Sequence, residues 1–401
     1  MQPYLLPPSP TEWLPADHLA YFVVDLVADL DLSEIDDALQ TKDPRGVRPF
    51  SPRMMVAVVL YGYCTGVFSS RKMARATFED VAFRVLAANE HPHFTTINGF
   101  RAQHRAALAR LFVQVLRECQ KCGLVKLGQV ALDGTKLKAN ASKHKAMSYD
   151  RMRRDEEKLK AEIEGLLTQA EAADAEEDRE LGEGQDFVDI PAELQRREDR
   201  LAKIRAARAE LEEEAAAARA AELRAEAEAL RTKAAAPTTE PKRAARLGIL
   251  ADKREEAARK LDDDDPDPPA SGGDELPRHQ PPTTKSGEPT PKAQRNFTDP
   301  DSRIMVRDGA FVQGYNAQIA VDGHAQVIVA AGLSNQPPDV GYFVPMLDQI
   351  VDNCGAVPEC TMADAGYFSA ANVRAADHMG TEPFISVGRH RNDGTQEQLR
   401  P

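Results

Sequence analysis

Apolar positions in the first third of the chain recur at helical spacing. After Pro15, Leu19, Phe22, Val23, Leu26 and Val27 fall on one helical face, and residues 31–35 begin a second, short acidic helix. Ser51-Pro52 opens a third, because proline is tolerated in the first turn where no N–H is needed. The dense apolar run from Met54 to Tyr63 makes this a core helix that stops near Gly66. Ser69-Ser70 through Ala76 reads as a helix capped by serine with a basic outer face, and residues 79–86 continue as another that ends before Pro92. Thr95 and Thr96 open a last helix with a threonine cap, carried on by Leu108, Leu111, Phe112, Val115 and Leu116.

The middle of the chain is sparser. Leu159, Ile163, Leu166 and Leu167, then Leu194, Leu201, Ile204 and Leu211, recur among charged and Ala-rich sequence. This predicts a helical hairpin or short antiparallel coiled coil over 149–236, with a solvated spacer as its simplest role. Residues 237–295 hold one helical stretch, 242–261, the run Asp262-Asp263-Asp264-Asp265 and many Pro, Gly and Thr. Such composition buries too little apolar surface to offset ordering entropy, so it is expected to be a disordered acidic linker with the aspartates simply solvated.

Strand patterning returns after 297. Residues 314–322 and 325–331 read as strands joined at Asp322-Gly323, a hairpin signal. A helix over 339–354 presents Val340, Phe343, Val344, Leu347, Ile350 and Val351 on one face. A buried strand over 359–363 delivers Asp364, a helix spans about 370–378, and a last strand covers 383–387.

Length permits two or three domains in 401 residues. The formal net charge of -13 conceals a partition: residues 45–145 carry 17 Lys/Arg against 5 Asp/Glu, while 1–44 carry 1 against 9. That basic block, made of short helices with arginines projecting from the last, suits a helix-turn-helix-like DNA reader over 1–125; a helical bundle with a solvated basic face is the alternative. The candidate DNA-contacting residues are Arg71, Lys72, Arg75, Arg101, Arg105, Lys136 and Lys138. Five cysteines at uneven spacing do not form a disulfide framework, which suits a reducing cytoplasm. Cys119-Gln120-Lys121-Cys122 reads as a helix end rather than a zinc or redox pair, and His91, His93 and His104 as surface or capping residues. No signal peptide and no membrane-spanning run is expected.

The chemistry concentrates at Asp133, which ends the apolar run Val130-Ala131-Leu132 and is followed by Gly134-Thr135 and lysines at 136, 138, 143 and 145. Taken alone, this is more simply a strand ending in an Asp-Gly turn, which needs no function. With the middle of the chain set aside, the order becomes strand with Asp133, strand, hairpin, strand, helix, strand with Asp364, helix, strand. That is the order of an RNase H-like core, in which the first and fourth strands end in neighbouring carboxylates. Such a pair can bridge divalent cations about 3.5–4 Å apart in phosphodiester chemistry, and hard oxygen donors favour Mg²⁺ or Mn²⁺.

The segments Leu132-Asp133-Gly134-Thr135, residues 297–303, Gly314-Tyr315-Asn316-Ala317-Gln318 and Ala363-Asp364-Ala365-Gly366-Tyr367-Phe368, together with those around Ser51-Pro52 and Phe94-Thr95, resemble the bacterial insertion-sequence transposases of the DDE superfamily. The resembling branch has a helical N-terminal domain and an interrupted catalytic core. The resemblance implies Mg²⁺- or Mn²⁺-dependent cut-and-paste transposition, terminal inverted repeats as the double-stranded DNA partner, a homo-oligomer on that DNA, and a cytoplasmic, nucleoid-associated protein. Asp133 and Asp364 match the first two acids of the triad. It also implies a core divided into 126–148 and 296–401 around the insertion. The third acid, a Glu in a basic helical pattern after the last strand, has no counterpart: Glu397 lacks a helical face and Glu382 precedes the strand. The expectation is therefore a chain truncated within its catalytic core and inactive alone, or a DNA-binding regulator of a full-length enzyme. A coiled-coil interaction protein built on 149–232 is a third reading.

Overall fold

A computed structural model of the chain describes residues 9–40, 49–181, 192–236, 240–261 and 276–387. Two compact units are formed, one from Met1–Lys126, Asp322–Val329 and Asn353–Gly355, the other from the remaining segments.

The first unit is helical: α1 (Leu19–Asp29), α2 (Ser33–Gln40), α3 (Pro52–Cys64), α4 (Ser70–Glu79), α5 (Val81–Leu86), α6 (Phe94–Gln103) and α7 (Arg105–Lys121). As its unbroken apolar run predicts, α3 is buried on nearly every side, from Met54 through Val59 and again at Tyr61, whose ring meets Phe83 edge-on at 5.1 Å. Gly66, at φ 76, turns the chain out of α3 in a conformation that costs glycine little. The expected serine cap of α4 is Ser69, which accepts from the Lys72 N–H at 3.5 Å. Two details differ from the sequence pattern. The face of α1 is rotated: Ala20, Val23 and Val27 are buried, while Phe22 is 62% exposed. The cap of α6 is His93, whose ring nitrogen accepts from Thr95, so the helix starts one residue before the threonines. Cys119 and Cys122 lie at the end of α7, where Cys122 is the C-cap, and both are free thiols.

The second unit holds a mixed sheet and a helical insertion. Its elements are β1 (Gln129–Lys138), β2 (Ala146–Ser148), α8 (Tyr149–Leu181), α9 (Ala192–Ala235), α10 (Pro241–Leu261), β3 (Gln294–Asn296), β4 (Arg303–Arg307), β5 (Ala310–Asp322), β6 (Ile328–Ser334), α11 (Phe343–Cys354), β7 (Cys360–Ala363), α12 (Ala370–Met379) and β8 (Glu382–Ile385). The sheet order is β4-β5-β1-β7-β8, with β6 paired to β5. β1 runs parallel to β7 and β7 parallel to β8, while β4 and β5 are antiparallel. A helical region followed by this mixed sheet with its helices is the expected RNase H-like α+β architecture, with β4 added to the strands anticipated.

The insertion leaves and rejoins the sheet through a two-stranded antiparallel ribbon, in which Ala146, Met147 and Ser148 of β2 pair with Asn296, Arg295 and Gln294 of β3. Beyond it, Met152 and Leu159 of α8 pack on Leu201, Ile204 and Ala207 of α9. The expectation of disorder over 237–295 does not hold for its described part. The helical stretch read over 242–261 forms as α10 and packs along α9, while residues 276–293 form a loop leading into β3. Composition misleads here because the α9–α10 contact is made largely by small side chains, Ala220 and Ala258 with Leu223, and short side chains let helices approach closely while contributing little hydropathy. The Asp262–Asp265 run lies outside the described residues.

Candidate active site

Along β1, Val130 and Leu132 are buried and Asp133 is exposed, the period-two alternation of a strand covered on one face. The register Leu132↔Ala363 fixes the next step: Asp133 and Asp364 follow the last pair on adjacent parallel strands, whose axes lie about 4.8 Å apart. Asp364 comes just past the end of β7, but β1 continues through Gly134 to Lys138, so Asp133 lies within the strand and the expected Asp-Gly turn does not form. Asp364 leaves β7 as the cap of the short 3₁₀ turn Ala365–Tyr367, its Oδ1 accepting the Gly366 N–H at 2.9 Å. Asp133 Oδ1 accepts the Gly134 N–H at 2.8 Å. Both carboxylates are exposed.

Behind them sits a third carboxylate that sequence reasoning did not single out. Asp339 Oδ1 accepts from Lys136 Nζ at 2.9 Å, Asn316 Nδ2 at 2.6 Å and Gln318 Nε2 at 3.0 Å. Gln318 Nε2 also donates to Asn316 Oδ1 at 2.9 Å, and its Oε1 accepts from the Tyr367 hydroxyl. Tyr367 is 1% exposed. Burial first, then the charges of Asp339, Asp133 and Asp364, hold its hydroxyl above the ordinary tyrosine range, so it remains a donor. The sequence signal for this network was Asn316 and Gln318, two carboxamides on the inward face of a strand, which must find partners when buried. Asp339 itself, after Pro337-Pro338, carried no such mark.

Two hard oxygen donors, one within β1 and one just past β7, both exposed to solvent, fit a divalent cation of the Mg²⁺ class. Among the described residues no group of three or more His, Cys, Asp or Glu could hold a metal, so the pair stands without a third ligand there. Glu382 opens β8, its backbone N–H bonded to the Glu359 carbonyl, and Glu397 lies outside the described residues.

The candidate DNA contacts divide by environment. Lys136 is committed to Asp339 and its side chain is 16% exposed, whereas Lys138 is exposed at the end of β1. In the first unit, Arg71, Lys72 and Arg75 lie exposed along α4, with Arg75 3.8 Å from Glu79. Arg71 stacks its guanidinium 4.8 Å from the Phe94 ring centroid. Arg101 donates to the Phe68 carbonyl at 2.8 Å and to the Tyr63 hydroxyl at 3.3 Å, bracing the turn between α3 and α4. Arg105 is exposed at the start of α7. No described helix is long and apolar enough to cross a membrane.

Comparison with protein families finds two matches. Residues 8–103 match a transposase domain family (DUF772), and residues 286–401 match the Transposase DDE domain family. The second match spans β3 to β8 and includes Asp364, Asp339, Asn316 and Gln318. Neither a curated protein nor a solved structure matches the chain.

Proposed function

Because the chain belongs to the insertion-sequence DDE transposases, a family that acts on DNA with divalent metal, we propose that Asp133 and Asp364 are two of its metal-binding acids and that Mg²⁺, or Mn²⁺ in its place, is the ion they take. The observation that carries this reading is the β1–β7 register, which brings together two carboxylates far apart in sequence. When bound, the ions would activate the attacking oxygen and stabilise the leaving oxygen of a phosphodiester. The chain's own residues supply the rest. The Gly134 and Gly366 N–H groups fix one oxygen of each acid, and Lys138, exposed at the far end of β1, offers a cation for a phosphate. The α4 residues Arg71, Lys72 and Arg75, with Arg105, would hold the duplex of the terminal inverted repeats, two or more chains assembling on one pair of ends.

The test is a Mn²⁺ titration of the full chain followed by electron paramagnetic resonance. Asp133→Ala and Asp364→Ala are each expected to weaken binding at least tenfold with the fold intact; unchanged binding in both would remove the paired-acid reading. A second reading is a DNA-binding regulator that occupies the repeats without cutting, since among the described residues no group of three or more His, Cys, Asp or Glu is arranged to hold a metal. A gel shift with inverted-repeat duplex, run beside a Mg²⁺-dependent strand-cleavage assay, separates the two. Binding without cleavage supports the regulator, and robust end cleavage overturns it.

A further inference from the structure

Asp339 occupies a particular place relative to the two acids. The N–H groups that grip Asp133 and Asp364 belong to Gly134 and Gly366. Those same two glycines are the ones the Asp339 carboxylate packs against. A Cβ built on Gly134 would stand 2.9 Å from Asp339 Oδ1 and 2.6 Å from Gln318 Nε2. A Cβ on Gly366 would stand 3.2 Å from Asp339 Oδ2 and 3.0 Å from Asp364 Oδ1. One oxygen therefore bears on the residue after the first acid, and the other on the residue two beyond the second. The carboxylate is itself held from three directions, by Lys136 from β1 and by Asn316 and Gln318 from β5, and Gln318 is locked in turn by the Tyr367 hydroxyl. Its charge is matched by Lys136, so the pair adds no net charge beside the acids.

We propose that Asp339 is a positioning residue: a neutralised carboxylate wedged between Gly134 and Gly366 that sets the spacing of the Asp133 and Asp364 carboxylates for a divalent cation. The proposal rests on the paired-acid reading and adds to it a residue that acts through the two glycines rather than on the ion. It also explains why Lys136, unlike Lys138, is turned inward: its role is to hold Asp339, not to meet a phosphate.

Mn²⁺ affinity of the full chain, read with its thermal melting, tests this. Asp339→Ala is expected to weaken Mn²⁺ binding about 10- to 100-fold, the range seen when groups that orient metal ligands are removed. A purely structural role would lower the melting temperature and leave affinity unchanged, and that result overturns the proposal. The charge-neutral, near-isosteric double variant Lys136→Met/Asp339→Asn is expected to recover affinity to within about threefold of wild type. If it stays as weak as Asp339→Ala, the carboxylate touches the ion directly and positioning is wrong. Should Asp339→Ala not fold, Gly134→Ala, whose Cβ displaces the same carboxylate, must show the same loss, and wild-type affinity there overturns the idea. Wild-type protein lacking any Asp133-dependent Mn²⁺ binding is a different outcome, since it removes the paired-acid reading and this inference with it.

Discussion

Gly314 lies where β5 passes the end of β1, and a Cβ there would stand 2.3 Å from the Leu137 carbonyl oxygen. That neighbour is backbone within the sheet and cannot yield as a side chain can. Gly314→Ala is expected to destabilise the second unit by about 1–3 kcal/mol, the cost of overpacking a closed site; an unshifted urea midpoint would show that the strands adjust freely. This constraint was not legible in the sequence, because it arises between residues 137 and 314, and only the Gly314-Tyr315 segment itself could be noticed. The same reasoning separates the acids. Asp133 and Asp364 could be noticed because each ends an apolar run and is followed closely by glycine, although β1 runs on through Gly134 where an Asp-Gly turn was expected. Asp339 could not, because everything that defines it, Lys136, Asn316 and Gln318, comes from other strands.

Among the elements, the insertion departs most from its sequence pattern. Its leucine spacing identified α8 and α9 correctly, but not how charge ties them together. Glu156, 3% exposed on α8, accepts from Arg205 at 3.1 Å, from Arg208, and from Lys160 at 2.8 Å. Burial opposes ionisation of this carboxyl, yet the hydrogen bonds from Lys160 and Arg205 and the charge of Arg208 outweigh it and hold its pKa below the ordinary 4.5. A folded pKa below the unfolded one contributes stability that is complete above about pH 4.5 and is lost as pH falls through the folded value. Glu156→Gln is therefore expected to cost the α8–α9 pairing about 1–3 kcal/mol at neutral pH. The difference from wild type should shrink below pH 4.5 in unfolding followed by circular dichroism, and a gap that persists in acid would show that the carboxylate's charge is not the source. Arg295, 7% exposed in β3, is similarly held by Glu210 at 2.5 Å and Glu214 at 2.6 Å of α9, and Arg303 of β4 lies 3.7 Å from Glu214, so ion pairs tie the arm to its ribbon and to the sheet.

For the molecule as a whole, net charge is a poor guide, since -13 overall coexists with a basic stretch over 45–145. Duplex binding is expected to weaken steeply with salt. Replacing Arg71, Lys72 and Arg75 together by alanine should flatten the slope of log K against log salt by about 0.9 for each phosphate contact removed. Fluorescence anisotropy over a KCl series measures it, and an unaltered slope would take α4 out of the interface. The ribbon of β2 and β3 has a consequence for how quickly such a chain can fold. β1 must find β7 across the whole insertion, with Gln129 meeting Cys360. Pairing so remote in sequence is ordinarily slow, because closure entropy must be met before any contact forms. Once Ala146 meets Asn296, the arm becomes a closed excursion, and the search left to β1 is over the path from β3 through β4, β5, β6 and α11 to β7. Closure entropy rises only logarithmically with loop length. The three residue pairs of the ribbon thus take the length of the insertion out of the path that β1 has to close on β7.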